Sequence, residues 1–307
     1  MEIALQFVLL ALGFVMLAKG ADWFVEGAAG IAMRFGIPQL VIGLTIVAMG
    51  TSAPEAAVSI AAAVKGNADI TIGNIVGSNI LNILVILGLA ASIVPIAVAR
   101  STVRIEIPFM IGVTALLFYQ GRDGSISLAD GGVLMVAFAA YMMYLYTMAM
   151  KSNVDSDLEE PGLPLGRCLL GAVGGLALII AGSNVTVGAA TSIATYAGLS
   201  ERFIGLTIVA LGTSLPELFT SVAARRGNAD IAIGNIVGSN IFNILFVVGL
   251  SSLIIDIPFA SAFNFDTYVA LGAAVLLWLC VLRTQRLQRW AGALMLVCYA
   301  AYLGHIL

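Results

Sequence analysis

Long apolar runs separated by short polar breaks fill almost the whole chain. Ten of them are long enough to cross a bilayer, which takes about 20 residues each, with approximate cores at 4–32, 38–64, 70–98, 105–120, 128–149, 166–197, 203–224, 231–255, 266–282 and 290–306. In hydrocarbon each backbone N–H and C=O needs a partner within its own segment, so these runs predict helices. The period-two alternation that a barrel strand would need is absent. The pattern predicts an all-α integral membrane protein with ten transmembrane helices. Composition agrees: apolar residues are 61% of the 307 and charged residues 10%, against about 25% charged in soluble domains.

One connection is clearly hydrophilic, residues 151–164, KSNVDSDLEEPGLP. It divides the chain into a first five-helix unit (1–150), a cytoplasmic linker (151–164) and a second five-helix unit (165–307). Five is odd, so the second unit must enter the membrane from the opposite side, and the two units form an inverted pair. Short loops rich in Lys and Arg face the cytoplasm. With the N-terminus outside, the inner loops hold ten basic residues and the outer loops three, Lys65, Arg122 and Arg202, with Lys19 set aside inside the first run. Both termini are therefore expected outside a cytoplasmic membrane. The first run is too long and lacks the basic start of a cleavable signal. The acidic linker lacks the spaced ligands and turn glycine of an EF-hand loop and reads as a solvated connector.

The polar interruptions are duplicated. GLTIVAMGTSAPE (43–55) returns as GLTIVALGTSLPE (205–217), and GNADITIGNIVGSNILNIL (66–84) as GNADIAIGNIVGSNIFNIL (227–245), with 28 of 32 positions identical. Outside these stretches the halves agree far less. A repeated polar motif inside membrane-length runs points to one composite site fed by both halves.

In the second run, Pro54 cannot donate to the carbonyl of Gly50 and its ring crowds that carbonyl; Pro216 does the same to Gly212. Each helix should therefore break, exposing carbonyls around Ala48–Gly50 and Ala210–Gly212, which membrane depth tolerates only where they line a cavity. Ser52-x-x-Glu55 and Ser214-x-x-Glu217 also fit capping boxes. A cap does not require a carboxylate, however, and an ionised group at mid-membrane costs about 2.5 to 3.5 kcal/mol. Glu55 and Glu217 are accordingly the main functional candidates. In the third and eighth runs, Gly73-x-x-x-Gly77 and Gly234-x-x-x-Gly238 permit close helix approach. That approach would carry Ser78 with Asn82, and Ser239 with Asn243, each pair one turn apart on a single face, toward the broken helices. Asn74, Asn79, Asn235 and Asn240 serve either as ligands or as partners of unwound backbone.

Every candidate ligand is an oxygen, which suits hard cations, and calcium accepts 6 to 8 of them in flexible geometry. Zinc and copper would want imidazole or thiolate. The single histidine, His305, lies near the C-terminus, and Cys168, Cys280 and Cys298 show no ligand spacing and read as packing residues. HExxH and GxSxG are absent, so a hydrolase is disfavoured and no enzyme activity is expected. Two glutamates balance one Ca²⁺ or two Na⁺, and mutually exclusive occupancy is the basis of exchange.

At GTSAPE with GNIVGSNILN, and GTSLPE with GNIVGSNIFN, the sequence resembles the cation/calcium exchanger superfamily, above all its bacterial and archaeal sodium/calcium exchangers with two α-repeats. The resemblance implies a secondary active antiporter exchanging sodium for calcium by alternating access, with a proton/calcium antiporter on the same glutamates as the alternative. Position by position it implies carboxylate ligands at Glu55 and Glu217 and hydroxyl ligands at Thr51, Ser52, Thr213, Ser214, Ser78 and Ser239. It further implies amide ligands at Asn82 and Asn243 and carbonyl ligands at Ala48 and Ala210. Asn243 stands where some relatives, including potassium-dependent ones, have aspartate, which weakens a case for potassium cotransport. Ca²⁺ and Na⁺ are expected as transported substrates in a lipid bilayer, with no organic cofactor, no nucleic acid and no obligatory protein partner. The long first and sixth helices are expected to slide as gates, with Gly20 and Gly182 at equivalent places.

Overall fold

The computed structural model describes residues 2–64, 69–152, 164–197, 212, 214–224 and 229–306. Helices dominate: α1 (Glu2–Phe35), α2 (Gln39–Thr51), α3 (Ala53–Val64), α4 (Thr71–Ile93), α5 (Thr102–Asp123), α6 (Leu128–Ser152), α7 (Leu165–Tyr196), α8 (Leu215–Ala224), α9 (Ala229–Ile254), α10 (Ala262–Leu282) and α11 (Arg289–Ile306). Among the described residues, seven helices are long and apolar enough to cross a membrane, and an eighth span results if α2 and α3 are joined across their 51° bend. The remaining two of the ten expected spans are not among these eight. Most of the seventh run, residues 203–211 and 213, lies outside the described residues, as does most of the acidic linker, and α11 is an 18-residue helix that carries Arg289 and His305 near its ends.

Four two-residue strands tie the connections together: β1 (Ile96–Ala97) pairs antiparallel with β4 (Arg286–Leu287), and β2 (Ser125–Ile126) with β3 (Ile257–Pro258). Proline is tolerated in β3 because each ladder is an edge with only one neighbour.

Burial ranks the helices. The apolar stretch of α9 is 94% buried and that of α4 78%, whereas α1 reaches 17%. The repeated motifs of α4 and α9 therefore occupy the centre, with α1 and α7 at the periphery. These two long helices meet along glycines. A Cβ at Gly20 would lie 2.9 Å from the Gly175 carbonyl oxygen, and one at Gly182 would lie 3.0 Å from the Leu17 amide. Side chains would force the backbones apart, so the expected close contact at Gly20 and Gly182 is present.

Periodicity did not foretell the local helix type. α4 and α9 widen into π-helical turns at Asn82–Leu87 and Asn243–Val248, each opening on the repeated asparagine. Further π turns lie at Gly43–Val47 and Thr102–Glu106. Such widened turns cluster at functional sites.

Candidate functional site

The site begins at the helix break. α2 ends at Thr51, Ser52 adopts φ −83° and ψ 7°, and α3 starts at Ala53 with Pro54 in its first turn, where a missing N–H costs nothing. Proline thus breaks the helix as its chemistry dictates, but the carbonyls are less free than the sequence suggests. The Ala48 carbonyl still accepts the Ser52 amide at 3.0 Å, and also takes the hydroxyls of Thr51 at 3.4 Å and Ser239 at 3.3 Å. The Ser52 amide, which a capping box would offer to the Glu55 side chain, is thus engaged by Ala48.

Glu55 and Glu217 are both 1% exposed. The halves meet beside them: Ser52 Oγ, three residues before Glu55, donates to Glu217 Oε1 at 2.8 Å, joining residues 165 apart in sequence. Thr51 Oγ1 donates to Asn235 Oδ1 at 3.0 Å, a second bridge between the halves.

Asn74 and Asn235 hold the broken helices. Asn74 Nδ2 donates to the Glu55 carbonyl at 3.3 Å and to Ser59 Oγ at 3.0 Å, and Asn235 Nδ2 donates to Thr220 Oγ1 at 2.8 Å and Ser221 Oγ at 3.3 Å. Of the two roles open to them, their amide nitrogens take that of backbone and hydroxyl partners.

Asn79 and Asn240 form a two-fold clasp between α4 and α9. Asn79 Nδ2 donates to the Asn240 carbonyl at 3.1 Å, and Asn240 Nδ2 returns the bond to the Asn79 carbonyl at 3.2 Å. Their side-chain oxygens accept Asn243 Nδ2 at 3.1 Å and Asn82 Nδ2 at 2.9 Å. Each amide NH₂ of Asn82 and Asn243 is thereby occupied, and each Oδ1 is buried with no hydrogen-bond partner. Ser214 Oγ and Glu217 Oε2 are in the same condition. Buried acceptors without donors are costly, and these four oxygens belong to repeated motifs of both halves, so the donor set fits a hard cation.

Ser78, buried on α4, and Ser239, buried on α9, complete the described candidates. Thr213 and Ala210 lie outside the described residues. No cluster of three His, Cys, Asp or Glu side chains occurs among the described residues; the charge here comes from two glutamates set among neutral oxygens. One contact escaped sequence reasoning. Ser183 of α7 donates to the Gly212 carbonyl, the one crowded by Pro216, at 2.7 Å. Nothing local to Ser183 signals this bond, and at the equivalent place in the first half stands Ala21.

Fold and site define a polytopic helical membrane protein whose duplicated acidic motifs converge in its buried centre. The chain belongs to the sodium/calcium exchanger protein family, whose model matches residues 5–147 and 168–307. It is 40% identical over 314 residues to a putative antiporter, CaxA, of Alkalimonas amylolytica, covering 98% of both chains. It is 33% identical over 345 residues to the sodium/calcium exchanger MaX1 of Methanosarcina acetivorans, again covering 98% of both. Among solved structures, the sodium-calcium exchanger NCX_Mj soaked with 2.5 mM Na⁺ and 10 mM Sr²⁺ superposes with a TM-score of 0.85 at 34% identity, covering 98% of this chain and 99% of that one.

Proposed function

We propose that this protein is a secondary active antiporter exchanging Na⁺ for Ca²⁺ across the cytoplasmic membrane by alternating access. Family membership supports the broader class, a cation/Ca²⁺ antiporter. The observation that carries the finer reading is the contact of Ser52 Oγ from one half with Glu217 Oε1 from the other at 2.8 Å, set among buried oxygens that lack donors.

In this reading Glu55 and Glu217 supply the charge, Thr51, Ser52, Thr213, Ser214, Ser78 and Ser239 the hydroxyls, Asn82 and Asn243 the amide oxygens, and Ala48 and Ala210 the carbonyls. The clasp of Asn79 and Asn240 turns the two amide oxygens, rather than their NH₂ groups, toward the ions. One Ca²⁺ or two Na⁺ neutralises the two carboxylates, so occupancy by one cargo expels the other.

The ten-span, inverted-repeat architecture, with units 1–150 and 165–307, draws support from strand pairing. Inversion puts the connection after the third span of the first unit at the same end as the last connection of the second. β1 pairs with β4, and β2 with β3, as inversion requires, whereas parallel repeats would bring β1 toward β3. With the basic loops facing the cytoplasm, both termini lie outside. The glycine contact of α1 with α7 supports sliding of these helices as gates past the central α4 and α9.

The deciding experiment loads reconstituted vesicles with Ca²⁺ and imposes a sodium gradient, a proton gradient or neither. Ca²⁺ release driven by sodium alone is the expected result; release driven only by protons makes the protein a proton/calcium antiporter, and gradient-independent flux refutes antiport.

A further inference from the structure

The bond between Thr51 and Asn235 has a direction, and that direction is set by a residue outside the repeated motifs. Thr51, Asn235 and Thr220 are all 0% exposed. Thr220, in the second turn of α8, donates its hydroxyl to the Pro216 carbonyl at 2.7 Å, with the Glu217 carbonyl at 3.1 Å as a weaker share. A hydroxyl has one proton and two lone pairs, so with that proton spent Thr220 Oγ1 can only accept on its other side. It accepts from Asn235 Nδ2 at 2.8 Å, the shortest bond this NH₂ makes, ahead of Ser221 Oγ at 3.3 Å and the Glu217 carbonyl at 3.5 Å. With its NH₂ committed there, Asn235 turns Oδ1 toward the other half, where it takes the Thr51 hydroxyl at 3.0 Å. Thr51 has then spent its own proton, and its lone pairs stay free.

From this geometry we infer that Thr220 is a positioning residue for the cation site, setting the polarity of a relay, Thr220 to Asn235 to Thr51, that keeps Thr51 a ligand. The inference rests on the reading of Thr51 as a hydroxyl ligand. A side-chain amide has nearly the same shape in its two orientations, so its partners decide between them. Were Asn235 reversed, its NH₂ would face Thr51 Oγ1 and claim a lone pair that a cation needs. The first half lacks this member of the relay. The spacing of 162 that carries Gly50 onto Gly212 puts Val58 where Thr220 stands, and Val58 is 45% exposed. Asn74 there has only Ser59 Oγ at 3.0 Å and the Glu55 carbonyl at 3.3 Å for its NH₂. The sequence repeat is therefore broken at the one position that directs Thr51.

The test is a double-mutant cycle read as Ca²⁺ affinity, by calorimetry on the full-length protein in nanodiscs. Thr220→Val keeps the volume and removes the acceptor, so calcium should bind about three- to tenfold more weakly; Thr220→Ser, which keeps the hydroxyl, should restore the affinity. Thr51→Val should weaken calcium by itself, and Thr220→Val added to it should cost nothing more, because the relay has no ligand left to direct. A Thr220 that merely holds α8 together would weaken calcium equally in both backgrounds. Thr220→Ala runs the same cycle if the valine variant does not fold. Unchanged affinity in the folded Thr220 variants, or equal losses with and without Thr51, overturns the relay and leaves the cage standing. Wild-type calcium affinity in Thr51→Val removes Thr51 from the cage and the relay with it.

Discussion

Glu217→Gln isolates the charge of one carboxylate from its shape. Gln keeps the volume and an Oε1 that accepts the Ser52 hydroxyl, whose bond to Glu217 is 2.8 Å. What is lost is one of the two formal charges, and the currently unpartnered Oε2 becomes an NH₂ donor that repels a cation. Removing one partner of a buried ion pair costs about 3–5 kcal/mol, and each 1.4 kcal/mol is a factor of ten. Calcium affinity should therefore fall by about two to three and a half decades. Sodium, with half the charge, loses about half as much at equal distance, so selectivity should move toward sodium. Ser52→Ala serves as the comparator: it keeps both carboxylates and removes one neutral hydroxyl, whose hydrogen bond to a charged group is worth about 1.5–3 kcal/mol. Calorimetry of Ca²⁺ binding and sodium-driven ⁴⁵Ca²⁺ flux in vesicles measure both effects, and exchange should vanish in Glu217→Gln and in Glu55→Gln. A folded Glu217→Gln protein that binds calcium within tenfold of wild type, or exchanges at the normal rate, would refute the two-carboxylate cage.

Protons compete with cations for ionised carboxylates, so calcium uptake should decline as pH falls through the glutamate range; uptake that stays flat in a pH series contradicts the site. Asn79→Ala removes the acceptor of Asn243 Nδ2 at 3.1 Å and the donor to the Asn240 carbonyl at 3.1 Å. Freeing the Asn243 amide to rotate should cost about 1–3 kcal/mol, read as a calcium affinity some five- to hundredfold weaker by calorimetry, and wild-type affinity would deny Asn79 its positioning role. Ser183→Ala strips the Gly212 carbonyl of its 2.7 Å donor and leaves a buried acceptor, again about 1–3 kcal/mol. The thermal midpoint should drop by several degrees and the exchange rate should change while calcium affinity stays within a few-fold; a variant identical to wild type in midpoint and rate would show that the bond holds nothing.

Much of the molecule was determined by local chemistry and was therefore legible in the sequence. Lipid-length apolar runs require helices, Pro54 dictates a break just before it, and Glu55 and Glu217 stand out because a carboxylate in an apolar run has no cheap explanation. Duplication of the surrounding motif pointed to one shared site, and Ser52 does meet Glu217. Tertiary structure decided what depends on partners more than a hundred residues away. By composition Asn79 and Asn240 serve equally well as ligands, and only the packing of α4 on α9 turns them into a clasp that holds the amides of Asn82 and Asn243. The π turns at those two asparagines share the apolar composition of an α-helix, so periodicity could not separate them. The Ala48 carbonyl, expected to be freed by the break, keeps its amide because Pro54 removes the donor to Gly50 and not the one to Ala48. Sequence fixes which groups are too costly to leave alone in lipid; which neighbour relieves each of them is settled only when the two halves close on each other.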